Sequence, residues 1–238
     1  MDSTSMSFSS LWLYGDPLSR AVMLLLLLMS LLSWCVLLIR GLHLWRLQRP
    51  GRAAMQQFWH CQSFSDAVLA LKQHRPDNPF QRLAVEGADA VEHHRLHTSD
   101  LHGHLPLTDW LSACLRGSIE DSMEGLNRGL AILASVAATA PFLGLFGTVW
   151  GIYQALISIS ASGQVALDKI AGPVGEALLT TAAGLVVAIP ALLGYNALSR
   201  ANRGVHSKLN RFAHQLHAYF LTGAAPLQRK QAHLREVH

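Results

Sequence analysis

The sequence predicts an all-α membrane protein with three transmembrane helices, two of which extend into the cytoplasm as long helices. Three observations predict it. Half of the 238 residues are hydrophobic and only 14% are charged, against about a quarter in soluble domains. The apolar residues fall in blocks: 21–39 and 129–167 carry no charge, and 170–199 carry only Glu176. A bilayer core takes roughly 20 such residues per helix, and an uncharged run as long as 129–167 exceeds an ordinary buried core helix. Lastly, no strand-like alternation is long enough to support a sheet.

Residues 1–17 form the leading segment and 18–40 the first membrane helix. This helix is a retained anchor, not a cleaved signal. No basic region precedes it, its apolar stretch is long, and an Arg-rich segment follows. Trp12 and Tyr14 before it, with Trp34 and Trp45 near its far end, fit interfacial aromatic belts. The net charge of +4 does not indicate nucleic acid, because of where the bases lie. Arg40, Arg46, Arg49 and Arg52 follow the first helix, and Arg200, Arg203, Lys208 and Arg211 follow the third. Basic flanks mark the cytoplasmic side, where they face anionic phospholipid headgroups. The leading segment holds Asp2 and Asp16 and no base before Arg20; the hairpin between helices two and three holds only Asp168 and Lys169. The N-terminus therefore lies outside and the C-terminus inside.

Residues 41–128 form a cytoplasmic helical domain. The stretch 53–75 has helical apolar spacing at Phe58, Phe64, Val68 and Leu71, and "PDNP" (76–79) breaks it. A second helix over 81–97 ends at "LHGHLP" (101–106). The two make a helical hairpin. From Leu107 the apolar stripe Trp110, Leu111, Cys114, Leu115, Ile119, Met123, Leu126 and Leu130 keeps a 3.6-residue period. Arg116, Glu120, Glu124 and Arg128 form a charged stripe able to pair along the surface. With no evident breaker, the spacing predicts one helix from about 107 to 160, roughly 80 Å long, whose part 129–160 is the second membrane helix. The outer hairpin covers 161–171 and the third membrane helix 172–199. Over 200–238, the C-terminal helix and tail, the stripe continues through Val205, Leu209, Phe212, Leu216 and Tyr219. Such stripes must pack on one another or on neighbouring subunits.

Chemistry concentrates in the apolar runs. Thr148 is the midpoint of 129–167, and Thr181 lies close to the midpoint of 170–199. On successive antiparallel helices these hydroxyls fall at similar depth. A membrane threonine commonly bonds its own backbone; two at matched depth beside an acid favour a polar ring lining a cavity. Glu176 sits roughly 9 Å below the outer end of its helix. Ionisable groups there are costly and usually face a bundle interior or proton path. The plainer alternative is an interfacial cap, with Pro173 starting the helix. Glu176 and Thr181 are about 140° apart around the helix, whereas Thr180 shares the Glu176 face. Glu176 then faces the second helix or a neighbouring subunit, or the helix rotates during a working cycle; the spacing leaves these open. Gly144, Gly147, Gly151 and Gly184 permit close helix packing, Gly147 and Gly151 as a G-x-x-x-G. Pro141, Pro173 and Pro190 are candidate kinks.

No metal or cofactor is expected. Cys35, Cys61 and Cys114 have no zinc spacing and serve as small apolar fillers with no disulfide. His93 and His97 share a helical face, but with His94, His102 and His104 they fit a solvated surface better than a metal site. There is no phosphate loop, H-E-x-x-H or G-x-S-x-G, so no enzyme activity is indicated.

"APFLGLFGTVWGIYQALISI" (140–159) and "AGPVGEALLTTAAGLVVAIPALLGYNAL" (171–198) closely resemble the ExbB/TolQ proton-channel family, which is related to flagellar MotA. The resemblance is strong over about 60 residues and looser over the remaining topology. The Trp-containing leading segment and "APFLGLFG" are nearer its ExbB branch. The resemblance implies a homopentamer in the bacterial inner membrane, with a central pore holding a dimer of ExbD. It also implies that the proton motive force drives TonB, which energises outer-membrane uptake of iron-siderophores and similar nutrients. Thr148 and Thr181 match the family's pore threonines and Glu176 its intramembrane acid; the main proton-carrying aspartate belongs to ExbD. Thr180 is an extra hydroxyl on the Glu176 face. A TolQ-like role in envelope integrity and a non-conducting scaffold are the alternatives.

Overall fold

The computed structural model describes residues 16–48, 58–61, 63–74, 78–96, 105–162 and 167–223. Trp12, Tyr14, Arg49, Arg52, His97, His102 and His104 lie outside them, as do the side chains of Arg46, Asp168 and Lys169. The described residues form six helices: α1 Pro17–Gln48, α2 Phe64–His74, α3 Pro79–Leu96, α4 Leu107–Asn127, α5 Leu130–Ser162 and α6 Leu167–Thr222. Three are long and apolar enough to cross a membrane, over Pro17–Trp45, Leu130–Ser160 and Ala171–Thr222. The chain divides into two compact units: residues through Leu42 with Arg128–Ser199, and His43–Asn127 with Arg200 onward.

The first unit holds the membrane helices. Asp16 precedes α1 and its backbone carbonyl accepts the Arg20 N–H at 3.1 Å, the first bond of a helix that Pro17 begins. The faces turned away from the other helices are strongly apolar. Leu31 and Leu38 on α1, Phe142 and Val149 on α5, and Val186 and Leu193 on α6 are all more than half exposed. A soluble protein rarely presents so much apolar surface; in a bilayer this is the lipid-facing or subunit-facing side. Leu37 of α1 fills the space above Gly194 of α6, and Val36 lies over Gly129, where a β-carbon would stand 3.1 Å from its Cγ1. Pro141 lies within α5, and Pro173 and Pro190 within α6, and neither helix ends at them.

The second unit is built on the stripes of α4 and α6. Leu111, Leu115, Ile119 and Leu126 are buried on α4; Val205, Leu209, Phe212 and Leu216 are buried on α6. An aromatic cluster joins the elements: Phe58 meets Phe212 edge-on at 5.1 Å, and Phe64 stacks on Tyr219 at 5.9 Å. Trp59 donates to Gln215 Oε1 at 3.1 Å. Asn78 starts α3 by accepting the Phe80 N–H at 3.1 Å, with Pro79 at the first helical position. Arg82 pairs with Glu86 at 2.6 Å and reaches Asp121 of α4 at 3.1 Å, and its bond to Glu86 raises the guanidinium pKa further. The Arg116–Glu120 pair along α4 forms at 3.1 Å.

Two sequence expectations are corrected. The single helix over 107–160 is broken between Asn127 and Leu130, where Gly129 takes φ +87°. That left-handed conformation suits glycine and ends the preceding helix as a C-terminal cap. The buried Asn202 side chain closes that end, donating to the Leu126 carbonyl at 3.0 Å and to Asn127 Oδ1 at 2.9 Å. The helical stretch 53–75 is also interrupted: Phe58 is buried and helical, the chain turns over 59–61, and α2 begins at Phe64.

Candidate functional site

The site begins with the packing of α5 on α6. A β-carbon on Gly144 would stand 3.0 Å from the Thr181 Cα. On Gly151 it would stand 2.7 Å from the Ala177 Cβ, and on Gly147 it would collide with the Thr180 Cγ2. From the other side, a β-carbon on Gly184 would meet the Ala140 carbonyl oxygen at 2.7 Å and the Gly144 Cα at 3.1 Å. The four glycines thus make a tight seam, with backbone against backbone at Gly144 and Gly184 and small side chains at Gly147 and Gly151, the geometry small residues allow in membranes.

This seam sets where the hydroxyls point. Thr181 donates across it to the Gly144 carbonyl at 3.0 Å. Thr180 is buried in it and donates to the carbonyl of Glu176, one turn back, at 3.0 Å. Thr148 donates to the Leu145 carbonyl of its own helix at 2.7 Å. Two of the three hydroxyls therefore bond their own helix, and Thr181 alone bridges two helices. An interhelical bond of this kind contributes about 0.6 kcal/mol in a membrane. The seam brings Thr180 and Thr181 to the level of Gly144 and Gly147, next to Thr148. Glu176 lies one turn nearer the start of α6, beside the Ala177–Gly151 contact.

Three more residues come to that level; the sequence used Asp16 and Arg20 for topology alone and gave Trp150 no role. Trp150, next to Gly151, donates its indole N–H to Asp16 Oδ2 at 2.8 Å, and its ring lies 5.5 Å from Tyr153. The charges of Arg20 and Asp16 both act on the Glu176 carboxyl. All four side chains are half-buried. The overlooked signal was an acid and a base four residues apart at the start of an otherwise uncharged helix. Arg40, the base at the opposite end of α1, lies 3.7 Å from the position of a Gly129 β-carbon. Arg200 and Arg203 are exposed on α6.

Outside the membrane helices, no group of three or more His, Cys, Asp or Glu among the described residues is placed to hold a metal. His94 bonds the Leu105 carbonyl at 3.0 Å and His93 lies against Trp110. His206, His214 and His217 line a groove of about 590 Å³ with Arg116 and Glu120. The three cysteines are free thiols. Burial raises the Cys114 pKa, and the Glu86 charge adds to the rise.

A family profile described as the MotA/TolQ/ExbB proton channel family matches residues 80–211, more than half of the chain. The chain belongs to this proton channel family. Relatives of the family similar to it include the biopolymer transport protein ExbB of Neisseria meningitidis, 42% identical over 87% of this chain and 94% of its own. The ExbB of Xanthomonas campestris is 39% identical over 88% of this chain and 85% of its own. The Tol-Pal system protein TolQ of Haemophilus influenzae is more distant, 26% identical over 87% and 90%. A proton channel family accounts for three apolar helices that carry so few ionisable groups.

Proposed function

We propose that this chain is an ExbB-like motor subunit of the bacterial inner membrane that works with ExbD to energise TonB through the proton motive force. In this reading five copies surround a pore that holds an ExbD dimer. The N-terminus is periplasmic, and Arg40, Arg46, Arg200 and Arg203 sit at the cytoplasmic face against anionic phospholipid. Glu176, Thr148, Thr181 and Thr180 belong to the proton pathway, and uptake of iron-siderophores across the outer membrane is the output. The observation that carries the reading is the 42% identity to an ExbB-named protein over nearly the whole of both chains, against 26% to a TolQ-named one. The site supports it chemically. An acid in an apolar helix is costly unless it exchanges protons or is paired, and among the described side chains the charges of Arg20 and Asp16 act on Glu176.

The test is iron uptake from ferric siderophore in a strain deleted for the chain. Glu176→Gln and Thr148→Ala/Thr181→Ala should reach the membrane at normal levels, co-purify with the small partner, and leave the strain unable to grow on ferric siderophore as sole iron source. Growth like wild type would refute the proton-pathway assignment. A deletion strain that is detergent-sensitive yet takes up siderophore normally would point to a TolQ-like role.

A further inference from the structure

The outer level of the membrane unit holds more charge chemistry than Glu176 alone needs for capping. Arg20 lies in the first turns of α1, at the positive end of the helix dipole, where a cation is disfavoured. It also lies inside an apolar span, where any charge is disfavoured. Both costs fall on a residue only one turn from the helix start, where a polar substitute would have been free of either. Asp16, one turn earlier, is held from the side by the Trp150 indole at 2.8 Å. Trp150 adjoins Gly151, Gly151 packs on Ala177, and Ala177 adjoins Glu176. Three helices therefore bring one guanidinium and two carboxyls to one level.

We propose that Asp16 and Arg20, anchored by Trp150, are positioning residues that hold the outer charge balance around Glu176 and so govern its proton exchange. The inference rests on the proton-pathway reading of Glu176. Its physical content is a count of charge. With all three ionised these groups sum to one net negative charge, and a proton on Glu176 brings their sum to zero. The fixed guanidinium thus lets Glu176 alternate between two states of low net charge, both tolerable in a low-dielectric setting. Without Arg20 the same cycle runs between two negative charges and one. Trp150 contributes direction: an indole N–H only donates, so it fixes the Asp16 carboxylate. The plainer view is that Arg20 and Asp16 tie α1 to its neighbours as a structural pair, and the experiment separates the two.

The experiment measures the initial rate of iron uptake from ferric siderophore in the deletion strain, normalised to the amount of each variant in the membrane. The variants are Arg20→Gln, Arg20→Lys, Asp16→Asn/Arg20→Gln, Trp150→Phe and, in parallel, Glu176→Gln. The proposal expects Arg20→Gln to lower the rate by roughly tenfold or more, the scale of losing one partner of a part-buried charge set. Arg20→Lys should restore it to within about twofold, and the double variant should recover most of it because it returns the net charge to one negative. Trp150→Phe, which keeps the ring and removes the donor, should lower the rate by about threefold, the scale of one hydrogen bond. A double variant as impaired as Arg20→Gln would overturn the charge-balance role in favour of packing. Wild-type uptake by Arg20→Gln beside a dead Glu176→Gln would overturn the inference and leave the pathway reading intact. A fully active Glu176→Gln would remove the pathway reading and this inference with it.

Discussion

Cys114 shows how a single side chain reports its surroundings. Its thiol is half-buried on α4 near Glu86 of α3, and desolvation followed by the Glu86 charge raises its pKa. A raised pKa means less thiolate at a given pH, and thiolate is the reactive form. In a Cys35→Ser/Cys61→Ser background, alkylation of Cys114 at pH 8 should therefore be slow and keep rising above pH 9, and Glu86→Gln should speed it at pH 8. The check is the pH profile of maleimide labelling; equal rates in the two proteins would remove Glu86 as a cause. At the same scale, sequence could place Thr148, Thr181 and Glu176 at related depths, because depth follows from counting along an uncharged run. It could not say which hydroxyl bonds what. That depends on the rotation of α6 against α5, which is set by where glycines let backbones meet. Nor could it join Asp16 to Trp150, since their pairing spans most of the chain and exists only after three helices pack.

The glycine seam is the feature that decides how α5 and α6 meet. Gly184 is the least yielding point, because the atoms a methyl would meet are the Ala140 carbonyl and the Gly144 Cα, both backbone. Backbone cannot turn aside as a side chain can, so Gly184→Ala should destabilise the purified protein by about 1–3 kcal/mol. Gly172→Ala, with nothing within 4 Å of the new methyl, should be neutral to within about 0.5 kcal/mol. Thermal unfolding in detergent reads both; equal transition temperatures would mean that α5 and α6 separate at no cost. Helix identity and the buried stripes of α4 and α6 were legible in the sequence, because period and burial share one cause. The break at Gly129 was not. Asn-Arg-Gly between two apolar stripes is a weak stop signal, and it becomes one when Gly129 adopts positive φ beneath Val36.

For the whole molecule, Gly129 and α6 set a contrast. Of the three chain connections between the two units' residues, one passes through a glycine turn, and the other two are the uninterrupted α1 and α6, whose residues belong to both units. Gly129→Ala forces an L side chain into the left-handed region and toward Val36, and should cost about 1–2 kcal/mol. A lowered temperature of thermal inactivation in detergent checks it; an unchanged one would mean the turn relaxes freely. The number of membrane helices was legible because bilayer thickness fixes the length of an uncharged run, whereas the packing of α1 was not, because its apolar residues surround the whole helix. The seam between α5 and α6 carries one last consequence. A crevice that rejects a methyl group also rejects a water molecule, which needs roughly 10–15 Å³ of accessible space and several polar partners. No hydrated file can thread the space between these two helices of one chain at Gly144, Gly147 and Gly184. The seam is therefore dry, and any wet path past Glu176 has to run along the other faces of α5 and α6. The same glycines that hold the two helices together keep water out from between them.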